Sequence, residues 1–347
     1  MSGRRRVALT PSEMTPSEMT PQREDAAMTR LGYQIPNFTY PGKNPAEIFS
    51  TVVTQAKAAE DAGFDRVFVM DHFYQLPGLG DPDDPMFECY TLLGALAQHT
   101  EKVRLSALVT GNTYRNPAIL AKTITTLDHV SGGRATLGIG SGWFELEHDA
   151  YGIPFNTFTE RFEKLEEALQ IIVPMLNGER PTLDGKHYQV TEAINSPAPL
   201  SKIPIMIGGS GEKKTLRMVA QYADESNLTG PAEEIPRKLE ALAGHCERLG
   251  RDRSEIKVTK LVMGVVGRTM EEANQSIDEF VALHGWPAEV GDMYRAMGTV
   301  GDPDTFGEQI KEMIDAGIDG VTLNLCTAGH DPEIVALAAE CADAAIG

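Results

Sequence analysis

Ala62-Gly63-Phe64-Asp65-Arg66-Val67-Phe68-Val69-Met70-Asp71-His72-Phe73 is the stretch on which the fold turns. Gly63 is a natural helix end, because a residue without a Cβ enters the left-handed region at no steric cost. The apolar, β-rich run that follows stops abruptly at Asp71-His72. The same corner recurs as Ala316-Gly317-Ile318-Asp319 ahead of the apolar run 320–325. A helix-to-strand corner repeated near both ends of a chain marks alternating βα units. In a barrel of parallel strands the chemistry sits at the C-terminal strand ends, and Asp71 and His72 occupy such an end.

The alternation extends outward in both directions. Upstream lie a strand at 32–36 and a helix opened by Asn44-Pro45, with Ile48, Val52, Ala56 and Ala59 on one face. Downstream come a helix at 87–98, a strand at 103–110, a helix opened by Asn116-Pro117 and a strand at 134–140. Thr157-Phe158-Thr159-Glu160 then reads as a capping box, with Phe162, Leu165, Leu169, Ile172 and Leu176 continuing the apolar face from Phe158. Residues 178–202 interrupt the pattern as a surface insertion with short strands. Strands at 203–207, 225–228, 256–263 and 320–325 follow, with helices at about 212–222, 233–249, 269–284 and 303–316 between them. Eight such units predict an α/β protein, a (β/α)8 TIM barrel, with a doubly wound open sheet as the alternative.

Composition narrows the function classes. The 347 residues carry a formal net charge of -19, which argues against nucleic acid, since phosphate binding needs concentrated Lys and Arg. No apolar run approaches the roughly 20 residues of a membrane helix, so no membrane partner is expected. Cys89, Cys246, Cys326 and Cys341 form no CxxC pair and predict buried thiols in a reducing, cytoplasmic protein. The repeat Thr10-Pro11-Ser12-Glu13-Met14, Thr15-Pro16-Ser17-Glu18-Met19 is polar and Pro-rich. Residues 1–28 are therefore expected to form a flexible tail before a single domain at 29–347.

Four motifs carry chemistry. His72, directly after Asp71, suits proton transfer near neutral pH, against the alternative of a structural histidine. No HxH or HExxH pattern accompanies it, so no metal site is expected. Gly208-Gly209-Ser210-Gly211-Glu212-Lys213-Lys214 follows a strand and opens a helix. Glycines admit a phosphate to the backbone, and the helix start and lysines add positive potential; a plain βα turn is the competing reading. In Gly138-Ile139-Gly140-Ser141-Gly142-Trp143 the third glycine of a dinucleotide fingerprint is misplaced, which suggests a flat ring or its side chain lying close against the backbone at Gly140 and Ser141, with simple turn chemistry as the competing reading. Thr110-Gly111-Asn112-Thr113-Tyr114-Arg115-Asn116-Pro117 offers hydroxyls and amides to a heteroaromatic ring, and Arg115 to an anion, against the alternative of a solvated loop with an Asn-Pro helix start.

Together these motifs, from about Leu31 to Leu325, resemble the luciferase-like superfamily of (β/α)8 flavin and deazaflavin oxidoreductases, and within it the branch that uses coenzyme F420. That resemblance implies hydride transfer between the deazaflavin and a small organic substrate. Asp71 would contact the ring, His72 would donate or accept the proton, and Thr110 would touch the ring. Ala107-Leu108 would mark the bulge with a non-proline cis peptide behind it. Gly208 and Gly209, with Ser210, Gly211 and Lys213 beside them, would hold the phosphate, and the 178–202 insertion would lie over the C-terminal face. A homodimer through helices near the second and third strands is implied, as is a basic strip of Arg115, Lys213 and Lys214 for an oligoglutamate tail. Sugar-phosphate dehydrogenases of this branch carry a Trp, an acid and a base where this chain has Leu76, Ser141 and the neighbourhood of Gly230-Pro231, which makes a sugar phosphate an unexpected substrate. The alternatives are an FMN-dependent monooxygenase, a non-catalytic cofactor-binding protein, and a Schiff-base lyase using Lys260, whose mid-strand position argues for a structural role.

Overall fold

The computed structural model describes residues 30–347, so the expected tail at 1–28 lies outside the described residues. Eight strands form the barrel: β1 (Leu31–Ile35), β2 (Arg66–Val69), β3 (Arg104–Ala107), β4 (Leu137–Gly140), β5 (Ile205–Gly208), β6 (Glu225–Leu228), β7 (Lys257–Val266) and β8 (Gly320–Asn324). They pair in parallel in the order β3-β2-β1-β8-β7-β6-β5-β4. A Leu105–Ala135 bridge and the pairing of Thr110–Gly111 with Ile139–Gly140 join β3 to β4 and close the ring. Almost every strand residue is buried, because helices cover the outside and side chains fill the inside.

The helices are α1 (Ile48–Asp61), α2 (Cys89–Leu96), α3 (Pro117–Val130), α4 (Glu145–Tyr151), α5 (Phe158–Leu176) and α6 (Thr215–Tyr222) in the first part. α7 (Ile235–Leu249), α8 (Met270–Leu283), α9 (Ala288–Met297), α10 (Pro303–Asp315) and α11 (Pro332–Ile346) complete the set. Asn116 caps α3 and the Thr157/Glu160 box caps α5. Gly63 takes φ +89 after α1, as its corner requires.

Three local expectations are corrected. The strand expected at 103–110 is broken: β3 ends at Ala107, and pairing resumes at Thr110–Gly111. The non-proline cis peptide in that break joins Leu108 to Val109, one residue beyond the Ala107-Leu108 position. Between β7 and α10 the chain adds α9 and a short strand, Thr299–Gly301, that pairs with the last part of β7. These additions build a second apolar cluster of Val265, Ile277, Phe280, Tyr294 and Val300, into which Leu79 of the β2–α2 loop packs.

The 178–202 insertion forms a hairpin, Leu183–Asp184 with Gln189–Val190. Glu167 of α5 accepts the N–H groups of Lys186, His187 and Tyr188 at its tip, each at 2.9 Å. At its base Ser196, Ala198 and Leu200 bond to Lys122, His129 and Asp128 of α3. The insertion therefore runs along the flank of α3 and α5, and reaches the rim of the C-terminal face where the Tyr188 phenol lies beside Asn112.

Candidate functional site

β2 delivers Met70-Asp71-His72 to the C-terminal mouth of the barrel. The His72 Nδ1 lies 2.9 Å from Glu147 Oε2 of α4. Glu147 is fully buried and also accepts the N–H groups of Phe73 and Tyr74 and the phenol of Tyr114. A carboxylate on Nδ1 assigns the ring proton to that nitrogen and leaves Nε2 as the basic one. The bond to Glu147 is the one the His72 ring makes among the described residues, so Nε2 is open, and the side chain keeps 12% of its surface exposed. Burial works to raise the Glu147 carboxyl, but the bonds from His72, Tyr114 and Tyr74 outweigh it and hold it below the ordinary carboxylate value. The site thus presents an oriented imidazole with its free nitrogen at the mouth, suited to taking or giving one proton.

Asp71 is 2% exposed, and both of its oxygens accept from the Arg115 guanidinium, at 2.6 and 2.9 Å, while Gly111 N–H donates to one of them. Arg115 also donates to Glu88 at 2.7 Å and lies over the Tyr90 ring. Burial pulls this guanidinium down, but Asp71 outweighs it and pushes Arg115 above its ordinary value. Arg115 is therefore held in ion pairs, which corrects its expected availability to an incoming anion. Thr110 is buried with its hydroxyl on the Tyr90 phenol.

Val109 forms a floor between two glycines. A Cβ at Gly208 would lie 2.7 Å from Val109 Cγ1, and one at Gly140 would lie 2.8 Å from Cγ2. Beyond the floor, Gly209 takes φ +115 and donates its N–H to Asn227, and the Ser210 hydroxyl donates to the Thr229 carbonyl. The backbone N–H groups of Ser210, Gly211 and Glu212 have no acceptor among the described residues. Lys213 is exposed, and Lys214 lies over the rings of Phe158 and Phe162. Across the mouth, the amide of buried Asn112 has the Tyr188 phenol as its neighbour. A smooth floor of Val109 between two glycines, and unengaged N–H groups in the turn that leads into α6, fit a flat ring system carrying a phosphate.

Trp143 and Phe144, from the turn after Ser141 and Gly142, meet the His72 ring edge-on. Lys260 is buried in β7 with its Nζ on the Leu261 carbonyl, as befits a structural residue. Sequence reading brought His72, Asp71, Thr110 and the two glycine turns to one end of the barrel. It missed Glu147 and Val109; an acid shortly after a glycine-rich strand end is the one signal that pointed to the former.

Comparison with known proteins follows this geometry. A family model described as luciferase-like monooxygenase matches residues 29–320. An F420-dependent glucose-6-phosphate dehydrogenase of Microbacterium testaceum is 34% identical over 202 residues, 57% of this chain and 59% of the relative. The enzyme of that name from Nakamurella multipartita is 28% identical over 322 residues, covering 86% of this chain and 93% of its own. The F420-dependent tetrahydromethanopterin reductase of Methanopyrus kandleri shares the fold, with a TM-score of 0.72 at 21% identity over 92% of this chain and 100% of that one. The chain belongs to the luciferase-like monooxygenase family.

Proposed function

We propose that the protein is an oxidoreductase that binds coenzyme F420 and moves a hydride between its deazaflavin and a small organic substrate, with His72 as general acid or base. The observation that carries this reading is the His72 imidazole, fixed through Nδ1 by buried Glu147 and open at Nε2. The relatives named for F420-dependent chemistry support the choice of cofactor. When bound, the deazaflavin supplies a ring carbon that exchanges hydride. The chain's own part is to seat the ring on Val109 between Gly140 and Gly208, to hold the phosphate at the N–H groups of 210–212, and to handle one proton at Nε2. Asp71 acts through Arg115, stiffening the turn that carries His72.

An anaerobic fluorescence titration with F420 and FMN in parallel tests the cofactor, with His72→Ala beside the native chain. F420 is expected to bind more tightly than FMN. His72→Ala is expected to keep F420 affinity within about threefold while turnover falls about 10²–10⁴-fold. Preference for FMN would move the reading to the monooxygenase named by the family, and turnover unaffected by His72→Ala would remove the acid–base role. A homodimer is proposed as well, supported by the apolar groove of about 620 Å³ between α2 and α3 and by exposed Ile119 and Val130 on its walls. Light scattering of the purified chain checks it.

A further inference from the structure

The His72 imidazole is flanked by two aromatic rings and backed by carboxylates. Trp143 and Phe144 stand at 5.7 and 5.8 Å from the imidazole centroid, tilted at 71° and 72°, and stack on each other at 5.1 Å. Their turn is built rather than loose. Gly142 takes φ +78, where a Cβ would meet Thr113 Oγ1 at 2.7 Å, and its carbonyl accepts from Arg161 Nε at 3.1 Å. Yet the Trp143 indole is left 60% exposed. A large apolar face held in place beside a poised imidazole is a stacking platform.

The electrostatics point the same way. Behind His72 lie the carboxylates of Glu147 and Asp71, with Glu88 joined through Arg115. Arg115 is engaged by two of these carboxylates, Asp71 and Glu88, while Glu147 is bonded to the His72 ring and Arg161 to the Gly142 carbonyl. A phosphate dianion approaching Nε2 would meet the Glu147 carboxylate behind the ring and no free Arg115 donor to pair with. An uncharged molecule suffers no such repulsion.

We infer that this side of the site takes an uncharged ring compound, a cyclic or aromatic alcohol or ketone, stacked on Trp143 with its oxygen toward His72 Nε2, and rejects sugar phosphates. The choice of an alcohol or ketone rests on the oxidoreductase reading; the selectivity for a neutral ring rests on Trp143 and the local charge alone.

Calorimetric titration of the full chain, with and without F420, tests this with 2-cyclohexen-1-one, benzyl alcohol and glucose 6-phosphate as probes, on the native chain, W143A and W143F. Both ring probes are expected to bind, at least about tenfold more weakly to W143A, with W143F restoring most of the loss. Glucose 6-phosphate is expected to give no saturable heat and to displace neither ring probe. Binding of glucose 6-phosphate as tight as that of the rings, ring binding indifferent to W143A, or no ring binding at all would each overturn the inference. F420 affinity, read separately from its own fluorescence, keeps the two readings apart. Ring binding that depends on Trp143 without any F420 binding would leave this inference standing and remove the cofactor; F420 binding with W143A silent would do the reverse.

Discussion

Glu147 gathers four donors on one buried carboxylate: the His72 ring, the Phe73 and Tyr74 N–H groups and the Tyr114 phenol. Truncating it strands all four, so Glu147→Ala is expected to lower unfolding free energy by about 2–4 kcal/mol in urea titrations. Glu147→Gln keeps the shape and removes the charge that assigns the His72 tautomer. It should shift the pH–rate profile of turnover while leaving F420 affinity near native. The sign of the stability effect follows from the direction of the carboxyl's shift. Its pKa is depressed in the folded chain, so its contribution is present above the unfolded carboxylate pKa of about 4.3 and vanishes as pH falls through the folded value. Urea midpoints of native and Glu147→Gln chains should therefore differ at pH 7 and converge as pH falls below the carboxylate range. Gly208 makes the complementary case, since a methyl there drives into Val109. Gly208→Ala is expected to weaken F420 binding by about tenfold or more, measured by cofactor fluorescence, as the floor is pushed out of place.

Among the elements, two α5 side chains hold the hairpin of the insertion, Glu163 on the Lys186 and His187 side chains and Glu167 on the amides of its tip. Glu167→Ala should release the amides of Lys186, His187 and Tyr188, seen as lost hydrogen-exchange protection confined to the tip. Which elements were legible in the chain follows from what each one buries. α5 and α1 declare themselves, because their buried faces are largely apolar at helical spacing, and a capping box opens α5 and the short turn that leads into α1. α4 is silent: its buried residues are Glu147 and His148, which no apolar periodicity records. That is why the partner of His72 was missed while His72, marked by its place at a strand end, was not. α9 buries only Gly291 and Tyr294, too little for a pattern. The break after β3 is invisible for another reason. Residues 103–110 read as a continuous β-rich run, and peptide isomerism at Leu108–Val109 is not written in side-chain alternation.

Across the whole molecule, the barrel interior is not uniformly apolar. Arg66 of β2 and Glu225 of β6 meet there in a two-pronged pair at 2.8 and 2.9 Å, both essentially without exposure. Removing one partner leaves a bare charge, so Glu225→Gln is expected to cost about 3–5 kcal/mol in urea unfolding, and a double change to apolar residues far less. Among the described residues no helix is long and apolar enough to cross a membrane. The closure between β3 and β4 is slender, resting on the Leu105–Ala135 bridge and the short Thr110–Gly111 pairing, whereas β7 and β8 run in register from Thr259–Gly320 to Met263–Asn324. A hoop gives first at its thinnest weld. That weld ends beneath Val109, so a guest seated on Val109 also rivets the circumference. Its arrival should slow amide exchange at Leu105 and Thr136, which bond to Arg134 and Leu105 across the far end of the same joint and which the guest never touches.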